Sequence, residues 1–239
     1  MTGMAFPPWL ETTATLSLGL ALASAAAITW DEFRRPQPMW IMAIVWPLTA
    51  LFGSLLWLGF YLRWGRGPPP GADHGSTKEP PMAVAVAEGA SHCGAGCALG
   101  DLIAEWLAYV APGVAVAFGW RTLVAEKTFA VWGLDYLVAF LLGVAFQYFT
   151  IQPMRGLSMR EGLVAAVKAD FASITAWQVG MYGAMAILQF AWLRPTYDHI
   201  APVTSPVFWF AMQLAMICGF VTAYPVNWML IRAGLKERM

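Results

Sequence analysis

The sequence is poor in charge. Of its 239 residues, 12% are Asp, Glu, Lys or Arg and 59% are hydrophobic, against roughly 25% and about 45–50% in ordinary soluble domains. A chain with so few charges cannot enclose this much apolar surface in a water-soluble globule. The 14 basic residues equal the 14 acidic ones, so no basic field attracts nucleic acid. The composition excludes an ordinary soluble domain and predicts no nucleic-acid partner.

Cysteine and histidine are also scarce, with three residues of each type. Three cysteines are too few, and an odd number, for a disulfide framework. Cys93, Cys97 and Cys218 are therefore interpreted as thiols or ligands. The chain also lacks a Gly-rich phosphate loop, a dinucleotide fingerprint and a serine-hydrolase elbow. No catalytic residue is predicted, and the protein is not expected to be an enzyme.

What the sequence has in abundance is long apolar stretches. A helix needs about 20 apolar residues to cross a bilayer, and six stretches meet that length: Thr12 to Trp30, Met39 to Leu62, Cys93 to Trp120, Phe129 to Ile151, Phe171 to Leu193 and Val207 to Ile231. Tryptophans near their ends are typical of an aromatic belt. The sequence predicts an all-α, polytopic membrane protein with about six transmembrane helices and the lipid bilayer as its first partner.

Composition divides these helices into two groups. Residues 65–81 (GRGPPPGADHGSTKEPP) are rich in Pro, Gly and polar side chains, which is typical of a linker. Residues 1–64 are then an N-terminal transmembrane hairpin, and residues 82–239 a four-helix membrane domain. Met1 to Thr13 contains no Lys or Arg, so the first stretch is interpreted as a retained span rather than a secretory signal.

The distribution of basic residues predicts the orientation, because positive loops stay cytoplasmic. If six spans place both termini in the cytoplasm, nine basic residues lie inside: Arg63, Arg66, Lys78, Arg155, Arg160, Lys168, Arg232, Lys236 and Arg238. Five lie outside: Arg34, Arg35, Arg121, Lys127 and Arg194. The expected location is the bacterial inner membrane, with both termini cytoplasmic. The first turn fits worst, since it puts Arg34 and Arg35 outside.

The segment from Ser91 to Glu105 holds the densest set of candidate ligands. On a helix, Cys93, Cys97, Asp101 and Glu105 follow one another at i, i+4 steps along one stripe, and His92 adds an imidazole. Two thiols, two carboxylates and an imidazole at a helix end are suitable ligands for a metal ion. Gly96 and Gly100 allow an equally weighted alternative, in which this is a close helix contact with incidental thiols.

Methionines extend the metal hypothesis. Met181 with Met185, and Met212 with Met216, place two thioethers one turn apart on the fifth and sixth spans. Thioether and thiolate together select Cu(I). Asp170, at the predicted start of the fifth span, is either a further ligand or a helix N-terminal anion. The first hypothesis is thus binding or transport of a soft transition metal, copper being the best guess and zinc the other candidate.

Two other functions compete with it. Abundant Trp and small-residue helix faces suit a non-catalytic auxiliary subunit of a larger membrane complex, whether respiratory, photosynthetic or oxygenase. A thiol redox role for Cys93 and Cys97 ranks last, because a disulfide four residues apart in one regular helix is awkward and the cytoplasm is reducing.

The chain from about Ser91 to Met239 resembles bacterial membrane proteins of domain-of-unknown-function family 4396. The resemblance rests on these pieces: His92-Cys93-x-x-Gly96-Cys97-x-x-Gly100-Asp101, Gly143, Gln152-Pro153, Ala169-Asp170-x-x-Ser173-Ile174, Ser205-Pro206-x-Phe208-Trp209, Ala223-Tyr224-Pro225-Val226-Asn227 and Gly234. It implies a four-helix membrane domain and brings no established activity. In that family Asp101 is usually Glu, and acids tend to occur near Gln178 and Met181, where this chain has none.

Overall fold

The computed structural model describes residues 6–68 and 80–236. In these ranges every named element of secondary structure is a helix. They are α1 (Pro8–Arg34), α2 (Met42–Phe60, continued by a π-helical turn Tyr61–Gly65), α3 (Met82–Val110), α4 (Gly113–Ala117), α5 (Lys127–Arg155), α6 (Met159–Ala186, continued by a π-helical segment Ile187–Leu193), α7 (Arg194–Tyr197) and α8 (Pro206–Arg232). Six of these helical segments are long and apolar enough to cross a membrane. The predicted all-α membrane fold is confirmed.

The second apolar stretch is folded back on itself. Ser54 has φ 47° and ψ −131°, which breaks the helix. In an unbroken helix Trp46 and Gly65 would be about 28 Å apart, at about 1.5 Å per residue, yet Gly65 lies directly against the Trp46 ring. The rings of Trp46 and Tyr61 are 5.6 Å apart. Residues 42–53 and 55–65 are therefore two antiparallel arms, and we name this pair the re-entrant segment.

The end of the re-entrant segment lies beside the turn that connects α1 to its beginning. Gln37 Nε2 donates to the carbonyl of Gly65 at 2.9 Å, and Tyr61 Oη donates to Asp31 Oδ2 at 3.0 Å. Each arm of about 12 residues reaches only about 18 Å. The N-terminal part is thus one long helix followed by a folded-back segment whose two ends lie near the same end of α1, and the transmembrane hairpin stays a prediction. The start of the predicted linker packs against this turn, whereas residues 69–79 lie outside the described residues.

The two ends of the helix bundle are defined by contacts between helix ends. At one end Phe6 packs against Tyr197, with ring centroids 5.5 Å apart, and Trp106 stacks on Trp209; this is the Pro206 end. At the other end Tyr224 Oη donates to the carbonyl of Ala83 at 3.1 Å; this is the Lys236 end. Among the described residues the chain runs the length of the bundle five times, and Phe6 and Lys236 lie at its opposite ends. The side of the membrane on which each terminus lies stays a prediction.

Two predicted helix boundaries are corrected. The third span begins at Met82 rather than Cys93, and it ends at Val110. It ends there because Pro112 has no N–H and disfavours helical geometry in the residue before it. The fifth span is continuous with the segment that precedes it, since α6 begins at Met159 with a capping box of Ser158 and Glu161. Asp170 is therefore well inside a helix and not at its start.

Close contact between α3 and α5 depends on glycine. A Cβ on Gly96 would lie 2.9 Å from the backbone nitrogen of Gly143, and one on Gly100 would lie 2.8 Å from Ala139. Without side chains at these positions the two backbones approach closely, as in small-residue helix pairs. The predicted packing role of Gly96 and Gly100 is confirmed, and it lies beside the Cys93 stripe, since Gly100 is two turns from Cys93 on α3.

Candidate functional site

Cys93, Cys97 and Asp101 follow one another on α3 and are all buried, with 0%, 0% and 2% exposure. Glu105, one turn further on, is half-buried. The predicted stripe is thus turned inward at its first three positions. Its placement differs from the expected helix-end site, because α3 begins eleven residues before Cys93, and the thiols lie in the body of the bundle.

Around Cys93 the structure brings together side chains from α3, α6, α8 and the C-terminal segment. The Cys93 thiol donates to Asp170 Oδ1 at 3.2 Å and lies 2.9 Å from Ser173 Oγ. Asn227 Nδ2 donates to the same Ser173 oxygen at 2.7 Å. Lys236 Nζ donates to Cys93 Sγ at 3.1 Å and to Asp170 Oδ1 at 3.5 Å. We name these five residues the Cys93 cluster.

Lys236 is the member of this cluster that the sequence did not reveal. It follows the last span, where a basic residue is ordinarily a solvated cytoplasmic charge. After α8, Gly234 adopts φ 68°, and the chain turns so that the Lys236 side chain enters the bundle with no exposed surface. Burial lowers the pKa of Lys236, but the adjacent Cys93 and Asp170 raise it by more, so it stays above its ordinary value. Lys236 is therefore the cation of the cluster.

A second group of polar side chains lies closer to the Pro206 end. The carboxyl groups of Asp101 on α3 and Asp135 on α5 are within hydrogen-bonding reach of each other. Tyr182 Oη donates to Asp135 Oδ2 at 2.7 Å, and Gln178 Nε2 approaches the same oxygen at 3.4 Å. Two carboxyl groups this close disfavour each other's negative charge. We name these four residues the Asp101 cluster.

The two clusters are arranged in series along the bundle. Asp101 and Cys93 are eight residues apart on α3, or about 12 Å. Cys97 lies between them, and the ionisable groups that act on it include Asp101, Asp135, Cys93 and Asp170. We call this series, from Lys236 through Cys97 to Asp135, the buried polar file.

The file approaches the Pro206 end through Glu105. That carboxyl group interacts electrostatically with Asp135 and with Lys127, and Lys127 Nζ donates to the Ala108 carbonyl at 2.7 Å. Ionisable groups thus occur from one end of the bundle to the other.

His92 does not join the thiols. Its Nε2 atom lies 2.9 Å from Met42 Sδ on the re-entrant segment, so the imidazole is on the α2 side of α3. Its Nδ1 atom is buried without a hydrogen-bond partner among the described residues. Adjacent residues on an α-helix point in different directions, so His92 and the Cys93 stripe face different neighbours.

The four predicted methionine ligands are core residues. Met181, Met185, Met212 and Met216 are all at most 5% exposed and belong to the main hydrophobic cluster, together with Cys93 and Cys97. Trp177 Nε1 donates to Met216 Sδ at 3.4 Å. Among the residues that the structure describes, no group of three or more His, Cys, Asp or Glu side chains is placed to hold a metal ion. Metal binding therefore stays a prediction.

Asp135, Ser173, Gln178 and Asn227 stand out in the sequence only as polar residues within apolar spans, where such residues ordinarily link helices. Their grouping could not be read from their spacing, since they come from three different helices. The signal that could have found Asp135 was its charge, because a carboxyl group at membrane depth is costly and tends to face a bundle interior. Asp170 is now placed as a buried partner of Cys93 and Lys236.

Helices long and apolar enough to cross a membrane, with ionisable side chains buried along their common interior, define a polytopic α-helical membrane protein. The family model described as Domain of unknown function (DUF4396) matches residues 84–236. That is more than half of the chain, and the chain belongs to this family. The match contains both clusters and begins earlier than the resemblance from Ser91 indicated. No curated protein and no solved structure matches the chain.

Proposed function

We propose that this membrane protein conducts protons along the buried polar file. The observation that supports this function is the placement of the Cys93 cluster and the Asp101 cluster in series inside the crossing helices. Charged and ionisable groups at membrane depth are costly, and they typically mark ion paths or proton relays. A packing role alone would be served at lower cost by apolar side chains of similar volume.

Both clusters contain groups suited to passing a proton. In this proposal the neighbouring carboxyl groups of Asp101 and Asp135 take up and release protons in turn. At the other cluster Lys236 donates to both Cys93 and Asp170. In this proposal Cys97 and transient water bridge the two clusters, and Glu105 exchanges protons with the Pro206 face.

The path of the chain also gives the proposed orientation. Of the Lys and Arg residues with described side chains, eight lie toward the Lys236 end: Arg34, Arg35, Arg63, Arg66, Arg160, Lys168, Arg232 and Lys236. Three lie toward the Pro206 end: Arg121, Lys127 and Arg194. By the positive-inside rule the Lys236 end faces the cytoplasm. The fold-back of α2 supports this assignment because it brings Arg34 and Arg35 to the same side as the other basic residues.

Proton flux into liposomes tests the proposal. Purified protein is reconstituted with a pH-sensitive dye inside, and a potassium gradient with valinomycin supplies the driving potential. We expect wild-type protein to acidify or alkalise the lumen according to the sign of the potential. Asp101→Asn and Asp135→Asn each remove one carboxylate of the pair, so each variant should lose most of the flux.

Glu11→Gln is the matched control. It neutralises an exposed carboxylate on α1, away from the file, and should leave the flux unchanged. Flux that is equal in wild type, Asp101→Asn and Asp135→Asn would show that the file does not carry protons.

Soft-metal binding is the second candidate. It is favoured by the convergence of the Cys93 thiol and the Asp170 carboxylate, 3.2 Å apart, near the Cys97 thiol. The Lys236 ammonium group, 3.1 Å from Cys93 Sγ, occupies a cation position there, which ranks this candidate below proton conduction. Plasma mass spectrometry of the native protein tests it: near-stoichiometric copper or zinc that is lost in a Cys93→Ser, Cys97→Ser double variant supports a metal site.

A non-catalytic subunit role stays the alternative to both. It requires stable partners in the native membrane. Mild-detergent isolation followed by native mass spectrometry tests it, and a chain that always runs alone argues against it.

A further inference from the structure

A cavity of about 370 Å³ lies where α1, the re-entrant segment, α3 and α8 meet. Its wall is almost entirely apolar, with Leu18 and Ala21 of α1, Phe52 of the re-entrant tip and Met212 of α8 among the lining residues. Asp101 is the acidic residue that lines it. The volume is within the range of small-molecule sites. The cavity therefore adjoins the buried polar file at Asp101.

The acidic character of this cavity comes from Asp101. Its carboxyl group is in the wall with Asp135 acting on it from α5, and when the pair holds a single proton, one negative charge is left beside the cavity. The first arm of the re-entrant segment, residues 42–53, ends at the cavity with Leu51 and Phe52 in its wall, and because the second arm begins at the same break, the two helix-end dipoles oppose each other there. Gln213 Nε2 donates to the Leu51 carbonyl at 2.7 Å, which satisfies one acceptor of this helix end.

Aromatic rings complete the wall. Trp106 and Trp209 stack at 6.4 Å between centroids, and both line the cavity. The Trp209 indole N–H donates to the Val203 carbonyl, so the ring is held in place. Indole faces attract cations, and apolar cations gain further from the surrounding Leu, Phe and Met side chains. A neutral acyl chain would gain from the apolar wall alone.

We propose that this cavity binds a monovalent lipophilic cation, with its charge near Asp101 and its apolar groups against the tryptophans. A single acidic residue in the wall matches a single positive charge, and the apolar wall excludes strongly hydrated ions. The inference goes beyond the proton path but shares Asp101 with it, so bound cation and translocated proton would compete for the same carboxyl pair.

Binding of tetraphenylphosphonium to the purified full chain tests the proposal. Equilibrium dialysis against protein in detergent, corrected with protein-free micelles, compares this cation with tetraphenylborate, an anion of nearly the same shape. We expect wild-type protein to bind the cation and not the anion. Asp101→Asn should weaken cation binding about tenfold, because a partly desolvated attraction between opposite charges is lost. The Glu11→Gln control should bind as wild type does.

A second variant keeps the result independent of Asp101. Ala98 lines the cavity, and Ala98→Phe fills it while leaving every carboxyl group in place. Loss of cation binding in Ala98→Phe supports the site. Equal binding of the two ions by wild type would identify a lipid groove and overturn the proposal, as would undiminished cation binding in Asp101→Asn.

Proton flux measured on the same preparations separates this inference from the proposed function. Flux without tetraphenylphosphonium binding overturns the cation site alone. Cation binding without flux overturns the proton path alone.

Discussion

In the N-terminal part, residues 6–68, the ionisable side chains that meet do so at the edge of the structure. Arg66 pairs with Asp31, and their side chains are 38% and 15% exposed. In the four-helix unit, Lys236 pairs with Asp170, and their side chains are 0% and 1% exposed. An exposed pair adds little free energy and closes a turn. A buried set costs several kcal/mol to desolvate, so a function is the better explanation for its presence.

The two regions also use different backbone devices. The N-terminal part breaks a helix at Ser54 and so returns the chain to its starting side, whereas the four-helix unit keeps its long helices continuous and presses two of them together at Gly96 and Gly100. Irregular backbone at membrane depth is tolerated where protein or a cavity surrounds it, and here the break lies close to the cavity-lining residues Leu51 and Phe52.

The largest expected effect is in cysteine labelling at the two ends of the re-entrant segment, where each position either reacts or does not. In a Cys218→Ser background, Arg35→Cys and Arg63→Cys should be protected together from a membrane-impermeant maleimide in intact cells, because both lie at the Lys236 end. Leu123→Cys, at an 86% exposed position of the Pro206 end, should react. Opposite labelling of residues 35 and 63 would mean that α2 crosses the membrane.

Removal of the buried cation should destabilise the protein strongly. Lys236→Met leaves Asp170 buried without its cation, and we expect a loss of about 3 kcal/mol in the free energy of unfolding. Calorimetric unfolding in detergent measures it. Arg66→Met, the equivalent change at the exposed pair, should shift the melting temperature much less, and a Lys236→Met, Asp170→Asn double variant should recover part of the loss. Similar shifts for the two single variants would contradict the contrast.

Glycine should matter at the α3–α5 contact and not at an open position of α1. Gly100→Ala places a Cβ 2.8 Å from Ala139, so we expect a loss of about 1–3 kcal/mol from overpacking. Gly19 of α1 has open space around it, and Gly19→Ala should be neutral or stabilising by up to about 1 kcal/mol. Thermal unfolding of the two variants side by side measures the difference, and a neutral Gly100→Ala would show that α3 and α5 can separate.

The smallest expected effect concerns the break in α2. A serine at φ 47° and ψ −131° is in a region that costs side-chain-bearing residues about 1–3 kcal/mol. Ser54→Gly should therefore stabilise the protein by about 1 kcal/mol without altering the labelling pattern. A lower melting temperature in this variant would mean that the Ser54 side chain holds the turn by a contact of its own.

Sequence periodicity predicted the inward stripe of Cys93, Cys97 and Asp101, because i, i+4 spacing fixes a helix face whatever packs against it. It also predicted the close approach at Gly96 and Gly100. It could not predict that the helix begins at Met82, since Ala, Val and Gly before Cys93 are as compatible with a linker end as with a helix. It also placed Asp170 at a helix start, because the apolar stretch that predicts the fifth span begins at Phe171.

The fold-back was beyond any argument from hydropathy. An apolar stretch of 24 residues satisfies the length of a span, and only the backbone angles of Ser54, together with the contacts of Trp46 and Tyr61, reveal that it turns. The sequence indicated this turn only through Arg34 and Arg35, which six spans would place outside, against the positive-inside rule.

The sequence by itself determined the class of protein, its helical secondary structure and the face of α3 that carries the ionisable residues, because these depend on composition and on the local period of a helix. The tertiary structure alone decided which partners those residues meet. Lys236 contacts Cys93, which is 143 residues away in the chain. Asp135 on α5 lies beside Asp101 on α3. Such contacts depend on how the helices pack and on where the chain turns back. An apolar sequence determines neither the packing nor the turn, because apolar residues suit lipid and protein neighbours alike.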